Sequence, residues 1–161
     1  MVSIHDVQPQ KLAEEVASQL KGKLEQPKWA QFVKTGMHKE RPPVNTDWFF
    51  VRAASVLRTI YNDGPVGVSK LRSKYGGLRK NSVRPPRFVK GSGNILRKVL
   101  QQLEKAGFVV QKKEGQHRGR IVTPTGISLL NKSAARVATR ENSSGIFLAK
   151  KNAPHFSLES A

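Results

Sequence analysis

The spacing of hydrophobic residues predicts a series of amphipathic helices, of which the segment WFFVRAASVLRTIY, residues 48–61, is the clearest. At 100° per residue its apolar side chains fall on one broad arc, and the aromatic residues 48–50 belong to that arc. We therefore expect these rings in the core and not on a base-stacking surface. The opposite arc is a polar strip that carries Arg52, Ser55, Arg58, Thr59 and Asn62.

Two shorter helices are predicted before this central one. Apolar residues recur every four positions in 12–20, and Asp6 is a candidate cap for that helix. Pro27 suits the first position of a second, short helix that would bury Phe32. Residues 35–47, TGMHKERPPVNTD, are predicted to form an irregular linker that ends in a helix cap.

The C-terminal half combines helices with one strand pair. VSKLRSKYG predicts a short helix, and GNILRKVLQQLEKAG predicts a longer one with Ser92 as its cap and Gly107 as its stop. FVVQKK and RIVT are strand-like runs whose connection, EGQHRG, indicates a hairpin. Thr123 and Pro124 are typical of the start of a last helix, and the residues from 141 onward lack any period and are predicted to be a tail.

This order of elements predicts a mainly α fold of the winged helix-turn-helix type, with extra N-terminal helices, a β-hairpin wing and a C-terminal helix followed by a tail. We expect one domain over residues 1–140 and a separate tail over 141–161. The turn of the helix-turn-helix is enlarged into GGLRKNSVRPPRFVKGSG, residues 76–93. Its Gly and Pro residues predict a loop without regular structure.

Composition adds a strong positive charge to this picture. The chain of 161 residues has 29 Lys and Arg against 11 Asp and Glu, a formal net charge of +18, which indicates a polyanionic partner.

The absence of cysteine excludes disulfides, thiolate catalysis and cysteine-ligated zinc. Because no apolar run is long enough for a signal peptide or a membrane span, we expect a soluble, intracellular protein with no membrane partner. The histidines stand singly and the acidic residues show no catalytic spacing, so neither a cofactor nor an enzyme is expected.

The enlarged turn contains basic residues and no carboxylate. A long cation-rich turn fits the irregular phosphate surface of folded RNA better than it would place a helix in a DNA groove. The alternative is a disordered solubility loop, although such loops normally mix charge signs. For Arg52 and Arg58, the alternative to RNA binding is that they belong to an ordinary solvated helix face. For Arg118 and Arg120, the alternative is that they are ordinary hairpin-turn residues.

Five segments also resemble a known family: PKWAQFVKTGMHKERPP, DWFFVRAAS, GPVGVSKLRSKYGG, GSGNILRKVLQQLEKAGFV and RIVTPTG. Together, from about residue 4 to about residue 140, they are similar to the small-subunit ribosomal protein nineteen of archaea and eukaryotes. The resemblance implies a winged-helix protein that binds ribosomal RNA in the head of the small subunit beside other ribosomal proteins. It also implies a role in maturation of that RNA, and a cytoplasmic, ribosome-associated protein that is monomeric within the ribosome.

The resemblance and the charge pattern together predict a set of rRNA-binding residues. The resemblance supplies basic positions on the central helix, the enlarged turn and the following helix: Arg52, Arg58, Arg79, Lys80, Arg84, Arg97 and Lys98. The other predicted positions are Lys39, Arg87, Lys90, Arg118 and Arg120. A winged-helix DNA-binding transcription regulator is the alternative function, but it would usually have a tight turn and a more balanced surface. A processing enzyme is a weaker third hypothesis.

Overall fold

The structure is a computed structural model that describes residues 3–80, 83–112 and 118–151, with residues 141–151 described by their backbone alone. The helices are α1 Pro9–Leu20, a 3₁₀ helix Lys28–Gln31, α2 Trp48–Asp63, α3 Val68–Lys74, α4 Gly93–Lys105 and α5 Pro124–Lys151. The strands form two antiparallel pairs, β1 Gly77–Arg79 with β2 Arg87–Val89, and β3 Val109–Lys112 with β4 Gly119–Val122. The predicted mainly α, winged-helix-like fold is confirmed. Among the described helices, none is both long and apolar enough to cross a membrane.

The core is organised around α2, which packs against α1, α4, α5 and β4. Phe49 and Leu57 are fully buried, as the apolar arc predicts. Trp48 is also buried, and its indole Nε1 donates a hydrogen bond to the carbonyl oxygen of Ala30 at 3.2 Å. The rings of residues 48–50 therefore belong to the core, in edge-to-face contact with one another.

Only some of the predicted helix caps form in the structure. The hydroxyl of Thr123 accepts a hydrogen bond from the backbone N–H of Gly126 at 3.3 Å, which confirms the cap of α5. The cap predicted from Asp6 is wrong, because α1 begins only at Pro9. Asp47 and Ser92 occupy the N-cap positions of α2 and α4 as predicted, but neither side chain makes a cap hydrogen bond. Competing partners take the two carboxylates, namely the backbone N–H of residue 3 and the ammonium group of Lys21.

The prediction that Phe32 is buried is also wrong, because 81% of its surface is exposed. The short helix is a 3₁₀ helix that ends at Gln31, and Ala30 is its buried residue. In a 3₁₀ helix side chains repeat every three residues, so the pattern of an α-helix misplaces the inward face.

The wing is attached to the helical core through backbone and side-chain contacts. Arg120 in β4 exchanges backbone hydrogen bonds with Val66 at 3.0 and 3.1 Å. Its guanidinium Nε donates to Oε1 of Glu104 on α4 at 2.9 Å. Gly107, with φ +74°, ends α4, and the N–H of Phe108 bonds back to Leu103 as in a Schellman motif. The wing tip, residues 113–117, lies outside the described residues.

The last helix continues past the predicted boundary at residue 140 and reaches Lys151. The expectation of a tail without regular structure is therefore wrong for residues 141–151, and residues 152–161 lie outside the described part. Residues 141–151 contain no proline, and extending an existing helix costs much less than nucleating a new one. The division of the chain into a domain and a functionally separate tail stays a prediction.

The burial of the central helix generates a stability prediction. Phe49→Ala should lower the free energy of unfolding by about 3–5 kcal/mol, because it removes a fully buried ring and leaves a cavity. Phe32→Ala is the matched control and should change it by less than about 0.5 kcal/mol. Urea unfolding of both variants measures the difference, and equal losses would contradict this assignment of the core.

A second prediction concerns the attachment of the wing. Arg120→Met should cost about 1–2 kcal/mol, because Glu104 loses its partner at a partly buried position. Arg118→Met, at an exposed position in the same segment, should cost less than about 0.5 kcal/mol. Thermal unfolding of the two variants tests this, and an Arg120→Met variant as stable as Arg118→Met would show that the ion pair is not needed to hold the wing.

Candidate nucleic-acid interface

The enlarged turn between α3 and α4 forms a β-hairpin, so the prediction of a loop without regular structure is wrong. β1 pairs with β2 in a register that sets Leu78 opposite Phe88 and Arg79 opposite Arg87. The two prolines, Pro85 and Pro86, lie in the turn before β2, where they remove no hydrogen bond from the strand pair.

The hairpin concentrates positive charge that nothing in the described residues neutralises. Arg79 and Arg87 stand directly opposite each other, and like charges in that position destabilise a strand pair. Lys80, Arg84 and Lys90 are exposed on the same hairpin. In the part of the chain that the structure describes, no carboxylate forms an ion pair with any of these side chains. An anionic partner would relieve this repulsion.

The opposite face of the hairpin is apolar. Since side chains alternate along a strand, Leu78 and Phe88 lie on the other side from the arginine pair. They are 64% and 55% exposed, respectively. The sequence analysis missed this pair, although the alternation in GLR and RFV contains the signal once the strands are known.

The base of the hairpin is held firmly against α3 and the linker. The N–H of Gly91 bonds to the carbonyl oxygen of Arg72 at 2.9 Å, and the Arg72 guanidinium Nε donates to the carbonyl oxygen of Gly91 at 3.2 Å. A Cβ at residue 91 would lie 2.6 Å from the carbonyl oxygen of Tyr75, so glycine is required there. Gly91 also forms a β-bridge to Gly36. These contacts fix the direction in which the hairpin projects.

Tyr75 covers the part of the polar strip of α2 that carries Arg52, Ser55 and Thr59. The hydroxyls of Ser55 and Thr59 lie 2.8 and 3.3 Å from the Tyr75 hydroxyl, and Thr59 is buried. The guanidinium of Arg52 lies over the Tyr75 ring, 4.4 Å from its centroid, as a cation–π contact. Hydroxyl-bearing residues that appear solvated in the sequence thus bind a tyrosine from the end of α3.

Residues 35–47, the linker, place His38 and Lys39 beside the contact between Tyr75 and α2. His38 packs so closely beside Gly36 and Gly77 that a Cβ at either glycine would lie 2.8–2.9 Å from its ring. Burial lowers the pKa of His38 below its usual value, and the positive charges of Lys39 and Arg52 lower it further. Burial likewise lowers the pKa of Arg52, against a smaller opposite effect of Tyr75. The linker, β1 and α2 therefore meet in one electropositive region.

The other predicted site residues lie on separate elements. Arg97 and Lys98 are exposed on α4, and Arg118 is exposed beside β4. Arg58 is half-buried on α2, and among the described residues no acceptor binds its Nε. Arg120 differs from the rest because Glu104 already neutralises it. Two basic residues that the sequence analysis did not select also belong here: Arg72, at the base of the hairpin, and Arg41, in the linker.

The described residues offer no grouping of three or more His, Asp or Glu side chains that could hold a metal ion. The concentrated chemistry of this surface is instead cationic, and it comes from Lys39, Arg52, Arg79, Lys80, Arg84, Arg87 and Lys90. Such a surface can neutralise several phosphates at once.

Known proteins resemble this chain over most of its length. Residues 3–140 match the family model described as ribosomal protein S19e. A protein of Aeropyrum pernix named small ribosomal subunit protein eS19 is 46% identical over 141 residues, covering 85% of this chain and 90% of the relative. Proteins of the same name from Haloarcula marismortui and Oryza sativa are 45% and 41% identical, covering 86% and 84% of this chain and 93% and 92% of the relatives. The chain therefore belongs to the ribosomal protein S19e family.

Proposed function

We propose that this protein is a structural component of the small ribosomal subunit that binds ribosomal RNA in the subunit head. Its relatives carry the name of a small-subunit protein, and the match extends over nearly the whole described domain. The observation that carries the proposal is the opposed pair Arg79 and Arg87, on a hairpin to which the described residues offer no carboxylate partner. A bound anion would lie between or beside the two guanidinium groups and remove their repulsion, so the arrangement favours anion binding.

Binding would proceed mainly through phosphates. The hairpin has a rigid base at Gly91, so its cations are aimed without the entropy cost of ordering a free loop. Arg97 and Lys98 lie on α4, the helix that follows the hairpin, and Arg118 lies beside the wing strand β4. Cations on three different elements can each contact a different stretch of RNA, so the protein would brace RNA helices in their mature arrangement.

This bracing is the basis for the proposed role in maturation of the small-subunit RNA. An RNA junction that is held in one geometry offers a defined substrate to the processing machinery, whereas an unbraced junction samples several. We further propose that the protein acts as a monomer among neighbouring ribosomal proteins, in the cytoplasm, and without catalysis or a cofactor. No observation favours the alternative of a DNA-binding regulator, since the turn that would have to be tight contains a hairpin.

A prediction on the hairpin separates its charge from its fold. The double variant Arg79→Gln and Arg87→Gln should weaken binding to a fragment of small-subunit rRNA. The slope of log affinity against log salt should become shallower by about 1.5, as expected for the loss of two phosphate contacts. The same variant should be as stable as the wild type or up to about 1 kcal/mol more stable, because the cross-strand repulsion is removed.

The matched control is Lys28→Gln with Lys70→Gln, which removes the same charge from two exposed positions outside the predicted site. It should change the salt slope much less than the hairpin variant does. Fluorescence anisotropy at several salt concentrations gives both slopes. If the two double variants weaken binding equally, net charge and not the hairpin determines affinity.

The proposed function itself is tested by sedimentation. In a cell extract at physiological salt, the full-length protein should migrate with small ribosomal subunits in a sucrose gradient. The hairpin double variant should be depleted from that fraction relative to the Lys28 and Lys70 control. A wild-type protein that stays in the ribosome-free fraction would contradict the proposal.

A further inference from the structure

A cavity of about 600 Å³ opens beside the N-terminal end of α2. This volume lies within the range of small-molecule sites in proteins. Three cations contribute to its lining, Lys39, Arg41 and Arg52, and none of the lining residues that the structure describes carries a carboxylate. The remaining lining residues are mainly apolar or weakly polar, and they include Pro42, Pro43, Val44, Val51 and Tyr75.

The cavity combines an apolar wall with a cationic one. Pro42, Pro43 and Val44 form a rim of the linker, and Val44 is 98% exposed although it is apolar. An isolated exposed valine is ordinary, but here it continues the apolar wall that Val51 provides on α2. A ligand that contacts both walls must have an apolar surface, such as the face of a ring, at one end and an anionic group at the other.

Arg52 is the fixed point of the cationic wall. Its guanidinium stacks on Tyr75, and the Tyr75 hydroxyl is in turn held by Ser55 and Thr59. Arg52 forms no hydrogen bond or ion pair with any acceptor in the described residues, so its N–H donors are available. A guanidinium that is oriented in this way can bind a phosphate with two parallel hydrogen bonds, and its plane can also support a base.

We infer that this cavity holds one unpaired nucleotide of the bound RNA, with its phosphate against Lys39, Arg41 and Arg52 and its base against the apolar wall of Pro42, Val44 and Val51. The inference rests on the proposed function, because it names an element of the RNA that the same surface would bind. The cavity would contact a base of the RNA, whereas the rest of the proposed interface contacts phosphates. Charge complementarity selects this occupant, since the described lining residues supply three cations and no anion.

The first experiment uses the full-length protein and three probes: adenosine 5′-monophosphate, ribose 5-phosphate and a short single-stranded oligoadenylate. Binding is followed by NMR through the Trp48 indole N–H and the Val51 amide. We expect adenosine 5′-monophosphate to bind at least about fivefold more tightly than ribose 5-phosphate, because stacking of a base adds to phosphate binding. Equal affinities, or no saturable shift with either, would overturn the inference.

The oligoadenylate distinguishes an RNA nucleotide from a free one. It should bind more tightly than adenosine 5′-monophosphate, with a steeper salt dependence, since its other phosphates reach neighbouring cations. If the oligoadenylate binds no more tightly than the mononucleotide, the cavity is a site for free nucleotides and the inference fails.

A pair of variants places the binding in the cavity. Val44→Glu sets a carboxylate at the rim and should lower affinity for adenosine 5′-monophosphate at least about fivefold more than Val110→Glu does. Val110 is the matched control, because it is a 51% exposed valine on β3 and does not line the cavity. Both positions are exposed, so both variants should fold. Equal effects would mean that only net charge matters and would overturn the inference.

The two proposals fail in different ways. If adenosine 5′-monophosphate does not bind while the hairpin variant still weakens binding of the rRNA fragment, the cavity inference is wrong and the proposed function stands. If the nucleotide binds in the cavity but the protein does not migrate with small subunits, the cavity is supported and the proposed function is wrong.

Discussion

The contact between Tyr75 and α2 is the interaction on which the electropositive surface depends. Through its hydroxyl, Tyr75 ties the end of α3 to Ser55 and Thr59, and through its ring it supports Arg52. The backbone of Gly91 packs against the carbonyl of the same residue, so the hairpin takes its position from it as well. Tyr75 thus connects the polar side of α2 and the cavity lining through its side chain, and the hairpin base through its backbone carbonyl.

The hairpin places like charges opposite each other and leaves apolar side chains exposed, and both features lower stability. The position of Arg79 opposite Arg87 destabilises the strand pair. Leu78 and Phe88 are more than half exposed, so they contribute little of the hydrophobic stabilisation that full burial would give. Anions against the cationic face would relieve the repulsion between the two arginines. By contrast, Arg120 on the wing is neutralised by Glu104 within the chain, so the same residue type serves the fold there.

Much of the helical framework could be predicted from local sequence. The apolar arc of α2 and the stop of α4 at Gly107 follow from periodicity and from the conformational freedom of glycine, which are properties of a short segment. The cap at Asp6 and the burial of Phe32 were mispredicted, because the Asp6 carboxylate accepts from the backbone N–H of residue 3 and because the short helix has the pitch of a 3₁₀ helix. The hairpin was missed because Gly and Pro residues that exclude structure in isolation lie at its turn and its base.

For the site, the sequence by itself determined the amount and the sign of the charge, and it placed most of the cations on α2, the enlarged turn and α4. Only the tertiary structure decided what each cation meets. Arg52 stacks on a tyrosine from another element, Arg120 meets Glu104, and Arg41 joins Lys39 at a cavity. The physical reason is that side-chain periodicity reports which face of an element is buried, whereas the partner across that face is selected by packing between elements distant in the chain.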